Sequence, residues 1–406
     1  MKTNIVVEWL DGVFWFVLET VVLLVCLPLA LVARYTPKKF DVGLGPEALI
    51  NNIYHKLALQ RQGYTVETFA SATNFITSRY DHILPLGGNE VSFLAGMVRL
   101  FWFACSRYRV LYIYLNGGAL RDSRFIWRLE PLLYRIARTR TVVMPYGGDV
   151  MVFTRGKNLQ LNHAMTVDYP DYHRRKARVE GQIDLWTRYA DHVVSGCDWV
   201  DYMYHWDTLM IAHFSVDTER LGALVTPKDE TLPISAEHPL RLLHAPNHQA
   251  VKGTAHIRRA VRELAEEGVP VVLDLIEFSP NEVVLAAIDR ADVVVDQIVI
   301  GWYALFSIES MALATPAICY LRPDLERLYV DAGLLGEGEV PLISATPHTI
   351  KETLRRLALS DRATLAALGR RSQDYVRAHH SLESVGRVFA RINRSIDVFA
   401  GSGAAS

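Results

Sequence analysis

The sequence predicts an α/β protein of two parallel-sheet units behind an N-terminal apolar helix. Three observations predict it. β-Rich runs alternate with helical patterns along most of the 406 residues, more chain than one ordinary domain takes. A polar stretch, Thr226 to Pro239, interrupts that alternation. It holds Lys228, Asp229, Glu230, Pro233, Ser235 and Glu237 without apolar periodicity, which is the composition of a linker. Ahead of both units, Val13 to Ala33 is almost wholly apolar.

That first segment is long enough, at about 1.5 Å per residue, to cross a bilayer core. Only Glu19, Thr20 and Pro28 interrupt it. A carboxylate is costly in hydrocarbon, so Glu19 reads as snorkelling to an interface, protonated, or marking a helix that does not fully cross. A spanning, an interfacial and a soluble core helix all remain open from the residues. Arg34, Lys38 and Lys39 follow the segment, whereas Lys2 before it is offset by Glu8 and Asp11. This bias predicts a membrane-attached protein with its body in the cytoplasm.

The first α/β unit begins at about Phe40. FDVGLGPEALINNIYHKLALQRQGYTVETF reads as a glycine loop, a helix from Pro46, a stop at Gly63 and a strand. Gly43 and Gly45 suit a strand-to-helix loop whose backbone approaches a ligand. Farther on, VLYIYLNGG and TVVMPYGGDV each carry a strand into paired glycines, and Asp149 follows the second pair. Asp149 reads either as a polar residue facing the cleft or as a turn aspartate capping the next segment. Past the linker, Leu242 and Leu243 end a strand, Lys252-Gly253 occupies the loop, and Thr254 to Leu264 forms an amphipathic helix. Val293 to Val295 is a buried strand, and Phe306, Ile308, Met311 and Ala312 mark one face of the helix that carries Glu309 in its first turns. A helix start of this kind favours a diphosphate, and a carboxylate there accepts hydrogen bonds from a ribose diol. Tyr375 to Phe399 reads as a closing helix that crosses back onto the first unit.

DVVVDQIVIGWYALFSIESMALATPAICYL resembles the donor-binding signature of family 4 retaining glycosyltransferases over Tyr303 to Tyr320. The Lys-Gly loop and the TVVMPYGGDV loop resemble two further motifs of that family. The resemblance implies a GT-B fold, two Rossmann-like domains facing a cleft. The chain would divide into a membrane-anchoring segment (1–39), an N-terminal acceptor-side domain (40–225), a linker (226–239), a nucleotide-sugar-binding domain (240–385) and the crossing helix with its tail (386–406). It implies that Glu309 holds the ribose and that Lys252, a point charge on a flexible stem, neutralises the donor diphosphate. Asn247, Tyr303, Ala304, Leu305 and Ser307 would line the donor site, with Gly43, Gly45 and Asp149 facing it from the other domain. Lys252, Glu309 and Asp149 are the residues carrying catalysis in this reading. The sequence departs from the pattern at Gly301, where the family has its sugar-facing glutamate. It also has Asn247, His248 and Gln249 where the family usually has an arginine.

The function implied is transfer of a sugar from a UDP- or GDP-sugar, with retention, to a lipid or lipid-linked glycan during polysaccharide or glycoconjugate biosynthesis. The alternative is a catalytically silent GT-B partner in a glycan assembly complex, which Gly301 keeps open. No metal or other cofactor is expected, since no Asp-x-Asp pair is present to hold a diphosphate-bound ion. A net charge of −1 gives no case for nucleic acid. Arginine clusters at 121, 124 and 128, at 135, 138 and 140, and at Arg174, Arg175 and Arg178 with Lys176 read as solvated helix faces or as a surface docking on anionic lipid. Four cysteines without pairing pattern or metal spacing read as buried thiols.

Overall fold

The computed structural model describes residues 5–74 and 76–401. The chain opens with α1 (Ile5–Tyr35), then β1 (Phe40–Leu44), α2 (Asn51–Arg61), β2 (Val66–Ala70), β3 (His82–Ile83), α3 (Glu90–Arg107) and β4 (Tyr108–Tyr114). It continues through α4 (Glu130–Ile136), β5 (Arg140–Met144), α5 (Leu159–Asp168), α6 (Lys176–Tyr189), β6 (His192–Gly196), β7 (Thr208–Met210) and α7 (Thr218–Gly222). These strands make one seven-stranded parallel sheet in the order β3-β2-β1-β4-β5-β6-β7. The central strand β4, YRVLYIY, is buried along nearly its whole length, as strands covered on both faces must be.

Residues 223–239 contain no helix or strand. Beyond them come β8 (Leu240–His244), α8 (Gln249–Lys252), α9 (Thr254–Glu266), β9 (Val271–Leu275), α10 (Asn281–Arg290), β10 (Val293–Val295), α11 (Leu305–Ala312) and β11 (Ala317–Ile318). Their strands form a second parallel sheet, ordered β11-β10-β8-β9. The chain closes with α12 (Pro323–Asp331), α13 (Ile350–Ala358), α14 (Arg362–His379) and α15 (Leu382–Ser395).

Three local expectations are corrected. The first helix of the N-terminal unit starts at Asn51 rather than Pro46, because the Asn52 amide group is turned back onto the Glu47 carbonyl (2.8 Å) and residues 46–50 form a turn. The closing helix is two helices. His380 breaks it, its ring held between the Phe214 carbonyl (3.0 Å) and the Tyr303 hydroxyl (2.9 Å), and Ser381 caps the restart. Only α15 lies on the first unit, against α2, where a Cβ at Gly386 would come within 2.5 Å of the Ala58 carbonyl.

The third correction concerns Glu19. Of its three readings the structure overturns the snorkelling one: the carboxylate is buried and accepts the amides of Arg124 (2.6 Å), Phe125 (2.7 Å) and Ile126 (3.2 Å). Those amides open the 3₁₀ turn Ile126–Leu129, so the carboxylate meets donors that have no partner within the turn. Val22, Cys26, Ala30 and Ala33 continue the buried stripe along α1, which packs on α3 and α4. At its end the Lys38 ammonium binds the carbonyls of Ala33 (2.8 Å), Cys105 and Ala137 (3.3 Å), capping α1, α3 and α4 together. Burial lowers this lysine to about 8.

Candidate active site between the domains

The C-terminal ends of the two sheets face a shared cavity of about 370 Å³. Crevices beyond the carboxyl ends of parallel strands are where such folds receive ligands. From the first unit it is lined by the β5 loop (Tyr146, Gly147, Gly148), by Tyr169, Tyr172 and Arg175, and by Cys197, Asp198 and Trp199 after β6. From the second come His248, Val251 and Lys252 after β8, then Gln297, Ile300, Trp302, Tyr303 and Ala304 after β10.

Lys252 is placed by its neighbours. It ends α8, and Gly253 turns the chain into α9 with a φ of 84°. A Cβ at that glycine would lie 2.5 Å from Ile298, so the position needs both the left-handed conformation and the bare backbone. The Lys252 ammonium reaches the Asp296 carboxylate (2.6 Å) and the Gln297 side-chain oxygen (2.7 Å), and Asp296 takes a further bond from Ser307 (2.7 Å). Asp296 is fully buried, so the lysine supplies its compensating charge while remaining at the cavity wall. Ala304, the N-cap of α11, lines the same wall and brings the open amides of that helix beside the ammonium.

Glu309 is buried on α11 outside the lining. Its Oε1 accepts from Asn281 (2.9 Å) at the start of α10 and from the Tyr54 hydroxyl (3.2 Å) of α2, the latter a bond that joins the two domains. Burial pushes it up to about 7, against the pull of those two donors. Tyr303 lines the cavity, but its hydroxyl is spent on Tyr375 (2.7 Å) and His380.

Several expected site residues lie elsewhere. Asp149 does not line the cavity. Its carboxylate accepts the amides of Tyr146 (2.9 Å), Gly147 (3.0 Å) and Leu115 (2.9 Å), which binds the β4 and β5 loops together. Burial nevertheless raises it to about 7. Ser307 is buried beneath the wall and orients Asp296, Leu305 follows Ala304 without lining the cavity, and Asn247 is exposed at the surface while His248 lines the cavity. Gly43 and Gly45 serve the core: a Cβ would meet the Tyr108 ring at 2.4 Å and the Phe69 carbonyl at 2.1 Å, respectively.

Gly301 also has a steric reason. A Cβ there would sit 2.2 Å from the Arg322 side chain, which is fixed by Asp201 (2.6 Å) and Asp324 (2.6 Å). A glutamate does not fit while that arginine holds its place. The carboxylate that the cavity does hold is Asp198, from the other domain. It is buried, takes no hydrogen bond from another side chain among the described residues, and is raised to about 7 by burial. Sequence reasoning missed it because an aspartate after a β-strand carries no motif. It also missed Asp168, whose carboxylate accepts the amides of Ala250 (3.1 Å) and Val251 (2.8 Å) and so fixes the Lys252 helix from the opposite domain.

No family model matches the sequence, and no curated protein matches it. Solved structures match across nearly the whole chain. Sucrose-phosphate synthase from Thermosynechococcus elongatus aligns with 88% of this chain and 99% of its own, at 15% identity and a TM-score of 0.54. The Anabaena protein HepE, in complex with UDP, aligns over 87% and 100%, at 11% identity and a TM-score of 0.52. This chain has the GT-B fold. An α-glucosyltransferase in complex with UDP and a 13-mer DNA aligns over 87% and 99%, at 10% identity and a TM-score of 0.54. The GT-B cleft is thus the cavity already described, bounded by Lys252 and α11 on one side and Asp198 on the other.

Proposed function

We propose that the protein is a glycosyltransferase, taking a sugar from a UDP- or GDP-sugar in the interdomain cavity. The observation that carries this reading is the Lys252 ammonium, held by Asp296 and Gln297 beside the open amides at Ala304. Breaking a glycosidic bond to a diphosphate develops negative charge on the leaving group, and preorganised cations and amides stabilise it most where water is excluded. Two structures of the same fold, HepE and the α-glucosyltransferase, hold UDP, which supports a nucleotide donor. Glu309 holds the ribose in this reading, with the diol displacing the Tyr54 hydroxyl. Asp198 faces the transferred sugar or the acceptor hydroxyl, the place first assigned to Asp149. Charge compensation rests on Lys252 and the amides, without a metal. The finer reading is a retaining enzyme, attached to the cytoplasmic face of a membrane through its N-terminal segment, whose acceptor is a lipid or lipid-linked glycan.

Calorimetric titration with UDP and GDP tests it. Wild-type protein is expected to bind one of them, with affinity reduced in Lys252→Ala and Glu309→Ala. A folded protein that binds neither would overturn the donor assignment. The second reading, a binding subunit without turnover, is favoured by Gly301, whose side-chain space Arg322 fills. It predicts nucleotide binding with neither transfer nor donor hydrolysis.

A further inference from the structure

We infer that α1 does not cross the bilayer but lies along the surface of an anionic membrane, fixed to the N-terminal domain on one side and immersed in lipid on the other. This deepens the membrane attachment in the reading above and does not depend on its donor chemistry. The helix is about 46 Å long at 1.5 Å per residue. Its inner stripe, Glu19, Val22, Cys26, Ala30 and Ala33, is buried, and the helix packs on α3 and α4, whereas Phe14, Val17, Val21, Leu24, Leu31 and Val32 on the outside are exposed. Phe125, Leu129 and Leu132 extend that apolar surface from the neighbouring segment. A continuous face of this size is more than a water-soluble monomer leaves open.

Crossing the bilayer would take either the whole packed face or a detached helix into hydrocarbon. The first carries into lipid Arg124, which pairs with Asp11 of α1, together with Arg99 and Arg128, both exposed on segments that pack against α1. The second strips Glu19 of its three amides and Lys38 of its three carbonyls. A helix lying in the interface meets neither penalty, since only its outer face sinks into the headgroup and acyl boundary.

The charge at the end of α1 selects the partner. Arg34, Arg109 and Arg138 open onto a surface cavity of about 360 Å³ together with Arg140 and Lys38. Arg140 is paired with Asp191 (2.7 Å) and lies 3.7 Å from Asp397, which also lines the cavity, and Lys38 is occupied as a cap. Arg34, Arg109 and Arg138 have no hydrogen-bonding or ion-pair partner for their guanidinium groups among the described residues. Many of the other arginines in the clusters are committed: Arg121 to Glu47, Arg124 to Asp11, Arg178 to the Arg121 carbonyl. Three free guanidiniums at the end of an apolar helix fit the phosphates of anionic lipid.

Two experiments test this on the full-length protein. In flotation with phosphatidylcholine vesicles, with or without phosphatidylglycerol, binding should depend on the anionic lipid. Changing Arg34, Arg109 and Arg138 together to glutamine should weaken it by roughly a hundredfold. Equal binding to both vesicles, or an unchanged triple variant, would overturn the headgroup assignment. In membrane vesicles with the cytoplasmic face outward, Asp11→Cys and Pro37→Cys should both react with an impermeant maleimide, and the four native cysteines, all buried, keep the background low. Protection of Asp11→Cys until detergent is added would mean a spanning helix and refute an in-plane one. A lipid-independent dimer masking the same face would refute it too. UDP titration of each variant is read separately: its loss bears on the donor site, and its retention shows that the variants are folded.

Discussion

At Lys252 one ammonium balances buried Asp296 and, in the proposed reading, would also hold the donor diphosphate, and substitutions separate the two. Lys252→Ala leaves Asp296 buried with only Ser307 as a donor, so thermal unfolding should show a loss of about 3–5 kcal/mol. It should also weaken nucleotide binding by roughly 10- to 100-fold, the worth of a hydrogen bond to a charged group. Adding Asp296→Asn should recover stability but not affinity. If affinity returned as well, the lysine would be a structural counter-ion only. Asp198 offers a pH signature. Burial sets it at about 7, so its ionised form accumulates as pH rises through that value. If the carboxylate contacts the acceptor hydroxyl, transfer rises over the same range, and Asp198→Asn flattens the profile while leaving UDP affinity nearly unchanged. The sign for stability is opposite. Asp198 and Glu309 have folded-state values raised to about 7, so their stabilisation is complete in the protonated form below the ordinary carboxylate range. It fades as pH rises through about 7, and melting temperatures should fall across that interval, less steeply in Glu309→Gln.

At the scale of elements, the joint between α14 and α15 is the most exposed to test. The Tyr303 hydroxyl ties the cavity wall to Tyr375 and His380, so Tyr303→Phe should cost about 1–3 kcal/mol in thermal or denaturant unfolding by leaving buried partners unmatched. The sequence showed the elements that bear their own pattern. Val293 to Val295 is a strand because three β-branched residues permit burial on both faces, whereas the expected Lys-Gly loop is corrected: Lys252 ends the short helix α8 and Gly253 alone makes the left-handed turn into α9. It did not show the break at His380, since the residues that hold it, Phe214 and Tyr303, are distant in the chain. The two glycines at 43 and 45 misled for a related reason. A glycine signals close approach, but whether to a ligand or to Tyr108 and Phe69 depends on packing.

On the scale of the whole molecule, the domains are closed on one another by long-range pairs. Arg322 meets Asp201, Asn158 meets the Val299 carbonyl (2.7 Å), Trp302 meets the Ile211 carbonyl (3.0 Å) and Tyr54 meets Glu309. The last is the pair a ribose would replace. Tyr54→Phe should therefore tighten UDP up to roughly tenfold, by removing a competitor worth about 0.5–1.5 kcal/mol. A weakened affinity would mean that Tyr54 itself contacts the nucleotide. None of these pairs, nor the place of Asp198 opposite Lys252, was legible before the fold was known. Each joins residues far apart in the chain, where periodicity and spacing carry no information.

The clamp on Glu19 also sets an order of events during synthesis. Its first partner, the Arg124 amide, lies 105 residues later in the chain. At about 5–20 residues per second, the ribosome takes roughly 5–20 s to reach it. During that interval α3, which precedes Arg124 in the chain, is the only one of its two helical partners already made, since α4 follows at Glu130–Ile136. If α1 lies in a membrane as inferred above, lipid would be able to cover its outer face before the N-terminal domain closes on the inner one. A finished domain that later finds a membrane would need no such sequence of steps. On the in-plane reading inferred above, lipid would cover one face of α1 while α3 and α4 take the other.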